Sequence, residues 1–318
     1  MNFLPRFQRG IALCISATMT WSAYAGQCGF SAVFQQKDEQ GTRTVEVFRG
    51  NPVAALNNSR PLLFITSLKV NTDGTRISYH QDDVTGRRCE TDPAAVPCAI
   101  NDIRNAFIDP KRPLADFEAL RDAGYPLPKT WKVLSADIIE KNKATGKPCI
   151  SPDGYLVSMT SDVAIPGGFA QQGDCNQAKW IDALTIPALV LPKKSRFFTF
   201  GVSKRSTVIA ISPSQTGHIV PGIVGDLGPV DELGEASVAM NRALNGLPQG
   251  ELPKHRADAN TRFQTAKTAI LIFPEQQAIL ARPITASRVA ENGTKLLQQF
   301  GGAEKIYACI KQEIDPSF

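Results

Sequence analysis

The sequence is poor in the side chains from which metal and nucleophile sites are usually built. It has only three histidines, His80, His218 and His255, and its cysteines form no Cys-x-x-Cys pair, so no metal site is expected. No histidine pairs locally with a serine or cysteine nucleophile. Ser151, Ser158 and Ser237 also lack a Gly-x-Ser-x-Gly setting, which argues against a serine hydrolase. A phosphate-cradling glycine loop and a dinucleotide fingerprint are missing too, so no cofactor is expected. Charge of one sign is scarce. The net charge is +5 over 318 residues, and the densest basic group, Lys193-Lys194 with Arg196, is too small for a phosphate-binding stripe. Nucleic acid is therefore not an expected partner.

Long hydrophobic runs are lacking past the N-terminus. A bilayer span needs about 20 apolar residues. The most apolar stretch, 181–191, is broken by Asp182, Thr185 and Pro187, so no stable membrane insertion is expected. The N-terminus itself reads as a secretory signal over residues 1–25: Arg6 and Arg9 lead, a mostly apolar stretch follows from Ile11 to Met19, and Ala23-Tyr24-Ala25 has the small-x-small cleavage pattern. Its removal would take two arginines and no acid, leaving 33 basic and 30 acidic side chains. Six cysteines would remain, an even number that in an exported chain reads as three disulfides. Fifteen pairings are open. The reading favours Cys89 with Cys98, across the loop holding Pro93 and Pro97, Cys149 with Cys175, and Cys28 with Cys309. With 42% hydrophobic and 20% charged residues, the rest is globular and is expected to act as a monomer.

From Gly26 to Arg88 the pattern predicts short strands at 44–48, 62–65 and 76–79, separated by turn residues such as Asp73-Gly74. A helix is predicted over 115–123, closed by Gly124 and Pro126. From Gly154 the strand signal strengthens, with runs at 155–159, 187–191, 197–202, 207–211 and 218–224. After Gly234 the apolar period becomes helical through Ala236, Ala239, Met240, Ala243 and Leu244. A strand at 269–273 and helices at 287–300 and 303–311 complete the chain, with 249–261 as a polar connection. The fold class expected is β-rich α+β: an antiparallel sheet or small β-barrel core with a few flanking helices, stapled by disulfides. Residues 26–147 form an N-terminal β-rich region of unassigned chemistry, and 148–318 carry the candidate site.

The densest local signal runs from Val224 to Ser237. A strand ends in Gly225-Asp226, a Gly228-Pro229 turn follows, and Gly234 precedes Glu235 at the start of a helical run. Glycosidic cleavage needs two carboxyl groups, one protonated to release the leaving oxygen and one ionised to activate water or attack the sugar. The same residues also suit an ordinary turn and a helix-start acid favoured by the helix dipole. The pattern alone leaves both readings open.

The run Gly225-Asp226-Leu227-Gly228-Pro229, followed by Gly234-Glu235-Ala236-Ser237 and an alanine-rich helix, resembles the signature of glycoside hydrolase family 75, the fungal-type endo-chitosanases. Asp153-Gly154-Tyr155-Leu156-Val157-Ser158 resembles that family's Asp-Gly-Tyr strand. The stretch from Asp174 to Asp182, then Ile186-Pro187 to Leu191-Pro192, resembles the segment that follows it. The resemblance covers residues 148–247, about a third of the chain. It implies an inverting hydrolase of a glucosamine polysaccharide such as chitosan, with Asp226 and Glu235 as the catalytic pair and Glu235 as the acid. Asp153 and Asp182, with Asp231, could bind substrate amino groups through charge-assisted hydrogen bonds. Tyr155, Trp180 and Trp131 could stack on sugar faces. The alternative is a non-catalytic exported glycan-binding or cell-envelope protein on the same scaffold.

Overall fold

Strands that are apolar at nearly every position, such as the run Thr-Val-Ile-Ala-Ile at 207–211, must bury both faces. The computed structural model, which describes residues 28–38, 41–213, 218–230 and 232–318, does this with a closed barrel. The expected signal segment lies outside the described residues. In chain order the strands are β1 (Ser31–Lys37), β2 (Thr44–Arg49), β3 (Leu62–Asn71), β4 (Tyr79–His80), β5 (Tyr155–Leu156), β6 (Ala188–Pro192), β7 (Thr207–Ile211), β8 (Ile219–Gly228), β9 (Glu235–Ser237) and β10 (Thr265–Ile272). The helices are α1 (Arg88–Thr91), α2 (Leu114–Asp122), α3 (Thr130–Val133), α4 (Val238–Leu244), α5 (Arg256–Arg262), α6 (Ala286–Phe300) and α7 (Gly302–Cys309).

Strands β3, β10, β7, β8, β6 and β9 pair in that order, and β9 returns to β3 to close six staves. The β8–β6 and β9–β3 pairs are parallel and the other four are antiparallel. The hairpin β1–β2 extends the sheet from the first half of β3. The protein is thus α+β and β-rich, with a small barrel at its centre.

Alternation along the staves sorts two cores. Leu62, Phe64, Val208, Ala210, Leu189, Leu191, Ala236, Ile270 and Ile272 face inward and meet in one buried cluster. Their neighbours Leu63, Ile209, Ile211, Ala269 and Leu271 face outward. There they are covered by Leu296, Leu297 and Phe300 of α6 and Ile306 of α7. The stretch between β3 and β6 builds a third core of its own around Tyr79, Phe107, Phe117, Leu134 and Leu156. This insert leans on the barrel rim, and the β3 stave comes from the N-terminal region.

Some elements differ from expectation. The stretch 197–202 is not a strand but a 3-10 turn, Arg196–Phe200, whose Phe197 packs edge-on against Phe34 and Phe64. Its aromatic residues mimic a strand composition while filling the barrel. The strand expected at 76–79 is only Tyr79–His80, and β5 only Tyr155–Leu156. Polar 249–261 holds α5, whose start is capped by His255, the Nδ1 accepting from Asp258 N at 3.3 Å. Among the described residues no helix is long and apolar enough to cross a membrane.

The three disulfides are Cys28–Cys309, Cys89–Cys98 and Cys149–Cys175, the expected set. The first ties the chain ends, and Glu313 reinforces it by accepting from the N–H groups of Cys28 (3.0 Å) and Phe30 (2.7 Å). It closes 281 residues against 9 for Cys89–Cys98. Loop-closure entropy then gives roughly 5 kcal/mol for the long loop and roughly 3 for the short one. Urea unfolding should therefore show a larger loss for the Cys28→Ser, Cys309→Ser pair than for Cys89→Ser, Cys98→Ser. Equal losses would contradict the entropic account.

Candidate active site

A change of register turns Asp226 out of the barrel interior. Val220 and Val224 of β8 point into the barrel, and strict alternation would send Asp226 the same way. Against β6, however, Leu189 pairs with Val224 and Val190 with Asp226, so residue 225 is an extra one. Such a bulge reverses which side chains face in. Leu227 then packs on the interior and Asp226 turns outward. Gly225 suits the bulge, because a Cβ there would lie 2.5 Å from Ala188 Cβ.

Glu235 arrives from the other side of β6. It is the antiparallel partner of Val190, and its neighbour Ala236 faces the barrel interior, so Glu235 faces out. Val190 therefore lies between the two acids, whose backbones stand two strand spacings apart, about 10 Å. Gly228 keeps the space between them open. A Cβ built there would lie 3.0 Å from Val190 Cγ1 and 3.5 Å from Glu235 Oε2.

Asp226 is held rigidly. Its Oδ1 accepts from Ser161 N at 2.7 Å and from Leu227 N at 2.8 Å. Burial pushes its carboxyl above the usual range, while those donors and the Lys193 charge pull the other way.

Sequence reasoning missed a third carboxyl, Asp73. It lies two residues past the end of β3, in a turn where Asp73 N donates to Asn71 Oδ1 at 2.7 Å. Gly74 completes that turn at φ +84°, where a Cβ would meet the Ile181 carbonyl at 2.4 Å. The turn is pinned to the insert: Gly74 N donates to Ser158 Oγ at 3.2 Å, and Gln177 Nε2 donates to the carbonyls of Gly74 and Ser158 at 2.9 and 2.8 Å. Asp73 Oδ1 accepts from Tyr79 Oη at 2.7 Å and from Ser158 Oγ at 3.4 Å. Burial, opposed by the Tyr79 hydrogen bond and helped by the nearby Asp226 charge, pushes its carboxyl up to about 7. The only local signal was an Asp-Gly turn, which is too common to mark a site.

Asp73, Asp226 and Glu235 line one cleft of about 940 Å³ between the barrel rim and the insert. Asp137 and Glu232 line it as well, so among the described residues five carboxyl side chains face three basic ones, Lys69, Lys193 and Arg256. The chain is basic, yet its cleft is acidic. Phe169 also lines it and is 45% exposed, which makes it an apolar surface that sequence reasoning did not single out.

The other expected binding residues are engaged elsewhere. Asp153, Tyr155 and Asp182 do not line the cleft. The Asp153 carboxylate accepts from Ser151 Oγ at 2.5 Å while its carbonyl meets His80 Nε2 at 2.7 Å, and Tyr155 Oη donates to the Cys98 carbonyl at 2.9 Å. Asp182 caps its own turn by accepting from Leu184 N and Thr185 Oγ1, both at 3.0 Å. Trp180 reaches the cleft but is only 2% exposed, and Trp131 donates to the Gly146 carbonyl at 2.8 Å away from it. Asp231 lies outside the described residues.

The raised Asp73 carboxyl has a consequence for stability. The folded state holds its proton up to about pH 7, whereas the unfolded chain releases it near 4. The stability it contributes is full below pH 4 and is lost as pH rises through 7. Asp73→Asn should therefore gain nothing at pH 3, gain progressively between pH 4 and 7, and level off near roughly 4 kcal/mol above that. Urea midpoints at pH 3, 5 and 8 measure this. A gain independent of pH would contradict the assignment.

Compared with known proteins, the chain matches no family model, and no curated protein matches it.

Proposed function

We propose that the protein is an exported glycoside hydrolase that cleaves β-1,4 linkages in chitosan or a related glucosamine-containing polysaccharide, using two carboxyl groups and no cofactor. The observation that carries this reading is the placement of Asp226 and Glu235 on either side of Val190, both facing outward into one cleft. An inverting glycosidase needs its two carboxyl groups about 6.5 to 9.5 Å apart, with room for a water molecule. Backbones about 10 Å apart suit that requirement better than the 5 to 5.5 Å of a retaining pair.

The acidic lining supports a cationic substrate, since glucosamine units carry ammonium groups where chitosan dissolves. Carboxylates concentrated in a cleft attract such a polymer despite the positive charge of the whole chain. Phe169 offers an apolar face against which a sugar ring could lie. Three disulfides suit a chain that folds in an oxidising compartment, which fits export after cleavage near Ala25.

The purified, oxidised protein should release reducing ends from chitosan. Asp226→Asn and Glu235→Gln, which preserve shape, should each lower that rate by on the order of 100-fold or more while the circular dichroism of the folded protein stays the same. Binding of chitosan without any release of reducing ends would favour a glycan-binding protein instead.

A further inference from the structure

We propose that the Phe169 side of the cleft is a subsite for a carboxylate-bearing sugar, so that the substrate is a mixed polysaccharide in which glucosamine units neighbour acidic sugars. This rests on the glycosidase reading and names the substrate class of that same site. Glucosamine then lies against the acidic lining around Asp226 and Glu235, and its acidic neighbour lies against the cations around Phe169.

The charge changes sign along the groove. Phe169 and Gln172 line the catalytic cleft and also a second hollow of about 440 Å³, so the two adjoin. Lys141 and Lys143 line that hollow, and among the described residues no carboxyl side chain does. Phe169 itself has two cations against its ring, Lys204 Nζ at 5.6 Å and Arg282 Cζ at 5.7 Å from the centroid. The nearby carboxylates are already taken. Buried Asp162 pairs with Arg205 at 3.1 Å and with Arg282, while Glu140 and Asp174 both pair with buried Lys179. Lys141, Lys143 and Lys204 form no ion pair with a described carboxylate. Lys141 lies instead over the Trp131 ring, 5.7 Å from its centroid. A glucosamine ammonium placed in this hollow is repelled, whereas a sugar carboxylate is attracted.

The lysines are held in place. Asn142 Oδ1 accepts from Ala144 N and Thr145 N, both at 2.9 Å, and shapes the turn that carries Lys141 and Lys143. Lys143 N donates to the Gly173 carbonyl at 2.9 Å, which fastens this turn to the loop bearing Phe169. Gly173 sits at φ +94°, and a Cβ there would lie 2.6 Å from Lys143 Cβ, so the two loops meet this closely only at a glycine. Cys149–Cys175 staples the span that contains Ser161, Phe169 and Gln172. The same span reaches the catalytic pair. Ser161 N donates to Asp226 Oδ1 at 2.7 Å, and the Ser161 carbonyl accepts from Lys204 Nζ at 2.7 Å, so a single residue links Lys204 to Asp226. The cations around Phe169 therefore stand beside the reacting bond, where a neighbouring sugar would lie.

Two kinds of sugar carry the group this subsite recognises: a uronic acid, with its carboxylate on the ring, and a glucosamine bearing a lactic acid ether on O3. Each offers one carboxylate to the lysines and an apolar ring face to Phe169. The lysines are exposed, so their pull on the polymer weakens with salt as the Debye length shortens from about 10 Å at 0.1 M to about 3 Å at 1 M.

The test measures kcat/KM on three soluble oligomers of equal length: glucosamine alone, glucosamine alternating with glucuronate, and glucosamine alternating with its 3-O-lactyl ether. The parent should prefer one of the acidic oligomers to glucosamine alone by about tenfold or more, and the one preferred identifies the source of the carboxylate. Lys141→Glu combined with Lys143→Glu should lower kcat/KM on that oligomer by on the order of tenfold or more, chiefly through KM, and raise it on glucosamine alone. The milder Lys141→Gln, Lys143→Gln pair should fall between. Raising the salt to about 1 M should shrink the parent's preference. A parent that prefers glucosamine alone, or lysine variants that lose equally on all three oligomers, would overturn the subsite while the glycosidase reading stands. A parent that cleaves none of the three would overturn the glycosidase reading and this proposal with it.

Discussion

A closed barrel of six short strands has no room for a charge inside. An eight-stranded barrel is only just wide enough for side chains to fill it, and here the interior is already occupied by Phe64, Phe197, Leu189, Leu191 and Ile270. Every ionisable group on the staves must therefore face outward or sit at the rim. The β8 bulge at Gly225 is the local answer to that constraint, since without it Asp226 would be aimed at Val224 and its apolar neighbours. A one-residue irregularity moves the carboxyl out of the apolar interior to the cleft, where it is still buried but accepts from two backbone N–H groups.

The same barrel fixes the spacing of the site. Val190 is hydrogen-bonded on one side to the Asp226 strand and on the other to the Glu235 strand, so the separation of these acids follows from sheet geometry rather than from a flexible loop. The insert then contributes what the barrel cannot. Ser158 and Ser161 reach over the rim, one to Asp73 and the other to Asp226, and Tyr79 brings a buried hydroxyl to Asp73. The cleft therefore has rigid walls on both sides, and burial without a paired cation gives Asp73 its affinity for a proton.

The sequence showed the elements that depend on local pattern. The β7 range, the helix at 114–122 and the α6 helix follow from apolar period and punctuation, and the even cysteine count pointed to three bridges. Asp226 and Glu235 stood out because two glycine-rich stretches lie close together in the chain, although the expected helix start at Glu235 is strand β9 and the helix begins only at Val238, after the Ser237 cap. What was not legible depends on partners far away. The bulge exists only as a register against β6, and Asp73 becomes unusual only when Ser158, 85 residues later, closes over it. Asp153, Tyr155 and Asp182 were attractive for the opposite reason: their residue types suit sugar binding, but their side chains are engaged with Ser151, the Cys98 carbonyl and a local turn. Side-chain type suggested a role that hydrogen-bond accounting then assigned elsewhere.

The most direct test of the account is the anomeric form of the first sugar released from a soluble glucosamine oligomer, followed by proton NMR before mutarotation. Outward carboxyl groups on either side of Val190, with space for a water, predict inversion and therefore an α-anomeric reducing end. A β-anomer released first would contradict the geometry, and no release at all would contradict the function.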